Sequence, residues 1–300
     1  AITAVKSAPG KGRGVFAVDP TTGLVLVLAS EPACDPNAFA QDNVYVSNGC
    51  TTDSTNQPLE NYALQAQVPT GSIFKIVTLS AALENGISPT QTYPANGSYQ
   101  IPGQPTPITI NQGRCQGQVT APGAIGPSCD LVYYQVGVAV GNIDPNLIPK
   151  MARAYGYGAS PGVVGIPASE QAAGLVPDPA YYQQQNIGTW APVDSANLAI
   201  GQGDLEANPA QVTMMTQAVA DNGVRLQPRL VTSVTNGSQT IVSFPLTQIG
   251  TVPVSATNLA IIQIAMQGTT QSPNGTSYDQ FHTFPVLVGA YAQHGTLPPA

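Results

Sequence analysis

Pro69-Thr70-Gly71-Ser72-Ile73-Phe74-Lys75 sets a hydroxyl and an amine three positions apart in otherwise apolar sequence. Residues at that spacing share one face of a helix, so Ser72 and Lys75 can touch if this stretch opens one. The run continues as Ile76-Val77-Thr78-Leu79-Ser80-Ala81-Ala82-Leu83-Glu84 and stops at Asn85-Gly86, a left-handed C-cap signal. Apolar residues fall on nearly every face, which predicts a helix buried all round. A lysine there loses hydration, and desolvation lowers its pKa. Neutral Lys75 can accept the Ser72 proton, and the Ser72 N–H in the first turn supplies half of an oxyanion hole. Ser-x-x-Lys alone is common, and its bland alternative is a buried serine beside a lysine that snorkels to the surface. The surrounding sequence favours the chemical reading.

The chain has 300 residues, enough for one large domain or two lobes. Charged residues are only 8%, nine basic against sixteen acidic, for a formal net charge of −7. So few and scattered basic side chains make no phosphate-tracking stripe, which argues against nucleic-acid binding. Thirty Gly and 28 Pro imply many turns, while 42% hydrophobic residues in periodic blocks argue against disorder. Cys34, Cys50, Cys115 and Cys129 form two sequence-local pairs without zinc-ligand spacing, and both histidines, His282 and His294, are remote. Two disulfides, Cys34 with Cys50 and Cys115 with Cys129, are the simplest assignment. The other two connectivities, and four reduced thiols, stand as alternatives. Disulfides imply an oxidising, extracytoplasmic location. With no run of eighteen apolar residues and no signal peptide, the expectation is a mature secreted form or an ectodomain cut from its anchor.

Val15-Phe16-Ala17-Val18, Asp19-Pro20-Thr21-Thr22-Gly23 and Leu24-Val25-Leu26-Val27-Leu28 read as strand, tight turn and strand. Residues 31–58 read as loop-rich and hold the first cysteine pair, and 60–68 read as a lead-in to the Ser72 helix. A short strand is expected at 108–110, then a helix through Ser128-Cys129-Asp130-Leu131-Val132-Tyr133-Tyr134-Gln135-Val136-Gly137. Another helix follows over 146–155, with mostly irregular chain over 156–192. The helix over 209–221 has proline in its first turn and Asn222-Gly223 after its end. Strands near 229–234 and 239–244, a helix over 256–266 and an apolar strand over 284–291 complete the chain. Strands at both ends with helices between predict an α+β fold. Its antiparallel sheet, built from both termini, is flanked by helices and carries an inserted, mostly helical subdomain.

The order of these motifs resembles the transpeptidase domain of penicillin-binding proteins, a serine acyl-transferase family that includes the serine β-lactamases. "GRGVFAVDPTTGLVLVLAS" is similar to the family's first hairpin and "NYALQAQVPTGSIFKIVTLSAALENG" to its nucleophile segment. "SCDLVYYQVG" is similar to the second motif, and "IGQGDLEANPAQVTMMTQAVADNGVRLQPRLV" to the helix and strand that follow. The resemblance covers most of the chain and implies a single domain over 1–300, with a sheet lobe of about 10–60 and 225–300 and a helical lobe of about 61–224. It implies that Ser72 attacks the D-Ala-D-Ala carbonyl of a peptidoglycan stem peptide to form an acyl-enzyme, with Lys75 as base and Ser128 as proton relay. It also implies covalent inhibition by β-lactams, no metal or organic cofactor, and a place in the cell envelope. A membrane anchor or other cell-wall proteins would be its partners outside this chain.

The sequence departs from the family pattern twice. Asp130 stands where the second motif, Ser-x-Asn, has an amide; a carboxylate only accepts, and can hold Lys75 as an ammonium. As a helix N-terminal Asp it is equally explained by the helix dipole. The third motif, Lys-Thr-Gly, is best matched by Gln293-His294-Gly295 with Thr296 following, or without a gap by Tyr291-Ala292-Gln293. Either way the lysine that binds the substrate carboxylate is missing, and His294 replaces it only when protonated. These departures support a competing reading, a catalytically impaired module that binds cell-wall peptide or a protein partner. A β-lactamase needs a base for deacylation, for which Glu170 has position alone.

Overall fold

The computed structural model describes residues 2–7, 12–41, 49–55 and 57–283. Strands Arg13–Val18 and Val25–Glu31 pair antiparallel, Phe16 opposite Leu28. Asp19 shapes their turn: its Oδ1 accepts from Thr21 N and Oγ1, both at 2.8 Å, and from Thr22 N at 3.1 Å. Gly23 takes the φ of +69° that glycine adopts without steric cost. Phe16, Val18, Val25 and Leu28 pack on Leu64, Ala210 and Met214. The helix Pro209–Ala220 thus lies against the hairpin, and Gln217 Nε2 donates to Pro20 O at 2.8 Å. A capping box of Asn208 and Gln211, with proline in the first turn, starts that helix where the sequence predicts.

The main core is built around Lys75–Glu84, in which Lys75 through Leu83 are all buried. Leu147–Tyr155 packs on it, with Tyr155 OH and Ser80 Oγ 2.9 Å apart. Its Glu84 accepts from Ser255 N at 2.8 Å and Asn258 Nδ2 at 2.7 Å, fixing the start of Ala256–Gln271. Asp130–Ile143 and Pro192–Ala199 approach at Gly137, where an added Cβ would lie 2.5 Å from Ala199 Cβ. The fold is α+β, helices combined with antiparallel strand pairs.

Several expectations are corrected in detail. The helix expected over 256–266 runs on to Gln271 past Gly268, which packs against Gly126. The strand near 229–234 begins only at Ser233; Pro228 precedes Arg229, which makes isolated parallel bridges to Leu24 and Val164 instead. Strands Val224–Leu226 and Gln248–Thr251 pair with each other, and the irregular 156–192 region holds the helix Pro179–Gln184. The strand expected over 284–291 lies outside the described residues. Both disulfides are present, Cys34–Cys50 and Cys115–Cys129, with Cα atoms 6.0 and 5.7 Å apart. No described helix is long and apolar enough to cross a membrane.

Candidate active site

Ser72 sits in a 3-10 turn, Gly71–Phe74, that passes directly into the Lys75 helix. The turn is pinned from behind: Gly71 N donates to Gly201 O at 2.9 Å, and Thr78 Oγ1 to Ala199 O at 2.9 Å. Gly201 has φ +73°, and a Cβ on it would fall 2.1 Å from Gly71 O. Close backbone approach there requires glycine.

Lys75 is fully buried, and its Nζ donates to Ser128 O and Ser128 Oγ, each at 2.9 Å, and to Asp130 Oδ1 at 2.5 Å. The three donors of an ammonium are thereby matched. The Tyr133 ring centroid lies 5.6 Å from Nζ. Desolvation by burial pulls the Lys75 pKa down to about 8, and the Asp130 charge opposes that shift. The lysine points into the site, which removes the snorkelling alternative.

Ser128 is buried and holds φ +60°, an unusual value for a side-chain-bearing residue, of order 1 kcal/mol in cost. That turn lets Ser128 present both its carbonyl and its hydroxyl to Lys75. Asp130 is the first residue of Asp130–Ile143, and its Oδ1 also accepts from Ser72 Oγ at 3.4 Å. On its far side, Gln112 Nε2 donates to Asp130 Oδ2 at 2.9 Å, and Asp130 N donates to Gln112 Oε1 at 2.8 Å.

Ser72 and Asp130 open onto a cleft of about 430 Å³, also lined by Gly71, Tyr134, Asn197 and Gln202. The structure therefore brings Ser72, Lys75, Ser128 and Asp130 together. Gln293, His294, Gly295 and Thr296 lie outside the described residues. Glu170 is exposed on the short turn Ala168–Glu170 and does not line the cleft. Gln112 and Asn197 escape sequence reading, since each reaches the site from an element with no motif of its own, and Tyr134, though inside the second-motif helix, carries no signal that sets it apart from the apolar residues around it. Among the described residues no cluster of His, Cys, Asp and Glu is arranged to hold a metal ion.

A serine at an open cleft, one turn ahead of a buried lysine that a second, buried serine contacts, is an arrangement suited to serine acyl transfer. The chain belongs to the penicillin binding protein transpeptidase domain family, whose model matches residues 14–287. The peptidoglycan D,D-transpeptidase MrdA of Salmonella typhimurium is 31% identical over 293 residues, covering 96% of this chain and 45% of its own length. The crystal structure of Pseudomonas aeruginosa PBP2 in complex with WCK 5153 superposes with a TM-score of 0.77 at 26% identity, over 95% of this chain and 62% of that one. Penicillin-binding protein A from Mycobacterium tuberculosis, as its penicillin G acyl-enzyme complex, gives 0.71 at 27% identity, over 85% of this chain and 56% of its own. The chain thus spans less than half the length of the curated relative.

Proposed function

We propose that this chain carries a serine D,D-transpeptidase centre that acts outside the cytoplasm on D-Ala-D-Ala stem peptides of peptidoglycan and is acylated by penicillin. The observation that carries the reading is the buried Lys75 amine, with a pKa near 8, held between Ser128 and Asp130 beside the cleft that contains Ser72. In the proposed reaction, neutral Lys75 takes the Ser72 proton as Ser72 Oγ bonds to the penultimate D-Ala carbonyl carbon. The C–N bond to the terminal D-Ala then breaks, and that proton passes through Ser128 Oγ to the departing amine. An acceptor amine attacks the acyl-enzyme, returns a proton by the same route and restores Ser72. The two disulfides agree with an oxidising compartment.

The competing reading, a module that binds cell-wall peptide without turning it over, draws on the Lys75–Asp130 ion pair, which favours the ammonium. Incubation with a pentapeptide ending in D-Ala-D-Ala, with and without an amine acceptor, decides between them. The proposal expects released D-Ala and an acceptor-linked product, both abolished in Ser72→Ala. Free D-Ala without linked product would make the centre a carboxypeptidase. Peptide binding with no D-Ala released by well-folded protein would contradict the proposal.

A further inference from the structure

We infer that Gln112 is a positioning residue for this site: its amide locks the Asp130 carboxylate so that one oxygen, Oδ1, serves both Lys75 and Ser72. The inference rests on the acyl-transfer reading above and concerns a residue in none of the three motifs.

Gln112 grips Asp130 at two points, through Nε2 to Oδ2 at 2.9 Å and through Oε1 to the backbone N–H at 2.8 Å. Contacts to both the backbone and the tip of one short side chain fix its two torsions. Nothing in a carboxylate itself makes that choice, since its two oxygens offer about four equivalent acceptor sites. The Asp130 side chain is 28% exposed, so without the grip it is free to turn away from Lys75 towards water. With Oδ2 occupied, Oδ1 faces Lys75 Nζ at 2.5 Å and Ser72 Oγ at 3.4 Å.

Gln112 is itself held. Cys115 N donates to Gln112 O at 2.9 Å, closing a turn, and the Cys115–Cys129 disulfide joins that turn to the residue preceding Asp130. A third, longer contact runs from Gln112 Nε2 to Ser128 O at 3.4 Å, the same carbonyl that Lys75 uses. The amide missing from the second motif is therefore present in space, laid against Asp130 from a neighbouring loop. Among the described residues the charged side chain that acts on Lys75 is Asp130; Tyr133 offers its ring face, and Ser72, Ser128 and Gln112 are neutral.

The test uses Gln112→Met, which keeps length without hydrogen bonds, and Gln112→Glu, which keeps the acceptor for Asp130 N–H but replaces the donor at Oδ2. Two quantities are followed against pH: the rate of penicillin acylation per acylatable molecule, and the Lys75 midpoint from the NMR titration of its 13C-labelled Cε, assigned by loss of the signal in Lys75→Arg. Gln112→Met should move the Lys75 midpoint to lower pH, because Asp130 no longer opposes desolvation as well, and should slow acylation tenfold or more. Gln112→Glu should raise the midpoint by adding a like charge beside Asp130, and slow acylation at pH 7. Midpoints and per-molecule rates unchanged in both variants, even with a lower melting temperature, would reduce Gln112 to a structural residue and overturn the inference. If the parent is never acylated, the acyl-transfer reading fails on its own, and the Lys75 midpoints still decide whether Gln112 positions Asp130.

Discussion

Lys75 is held by two opposed effects. Burial pushes its pKa down and Asp130 pushes it up, and the balance brings it from 10.5 to about 8. At pH 7 roughly a tenth of the molecules then carry the neutral amine. A base that must be neutral to act makes the penicillin acylation rate rise about tenfold from pH 7 to pH 9 and level off above. Asp130→Asn removes the charge that sustains the ammonium, so its rising limb should lie at lower pH than in the parent. Stopped-flow acylation across pH 6–10 reads both, and a rate flat over that range would contradict the role of Lys75. Ser72, Lys75, Ser128 and Asp130 are legible in the sequence because each sits in a short motif whose spacing carries chemical meaning. Gln112 is not, since its contact with Asp130 spans 18 positions and depends on how the disulfide-tied loop folds.

At the scale of elements, the turn that carries Ser72 owes its position to the backbone of Gly201 as much as to its own sequence. Gly201→Ala places a Cβ against Gly71 O and, at 2.8 Å, against Phe74 Cβ, at a φ that disfavours side chains. Overpacking and strain together should cost about 2–4 kcal/mol. Because the displaced atoms belong to the Ser72 turn, acylation should fall further than the loss of folded protein explains. Urea unfolding beside acylation kinetics separates the two; a stable variant with the parent rate would show that the turn holds itself. The hairpin and the helices at 75–84 and 209–220 are readable because turn and cap residues bound them sharply. Val224–Leu226 is only three residues long, and Pro192–Ala199 has just two turns of weak apolar contrast, so pairing and packing rather than local preference decide them.

Across the whole molecule, the core and the candidate site share one helix: Lys75–Glu84 fills the main hydrophobic cluster and carries Lys75 at its first position. Burial that stabilises the fold is thus the same burial that lowers the lysine pKa. The α+β class is legible from strands near both ends and helices between; the corrections concern the bounds and pairing of short strands, the length of one helix and a short helix in a stretch expected to be irregular, not the class. The measurement that tests the central claim most directly is the intact mass of the protein after incubation with penicillin, followed by peptide mapping of the adduct, with Ser72→Ala alongside. One penicillin per chain, mapped to the peptide containing Ser72 and absent from the variant, is the predicted result. No adduct on folded protein, or one that survives Ser72→Ala, would contradict it.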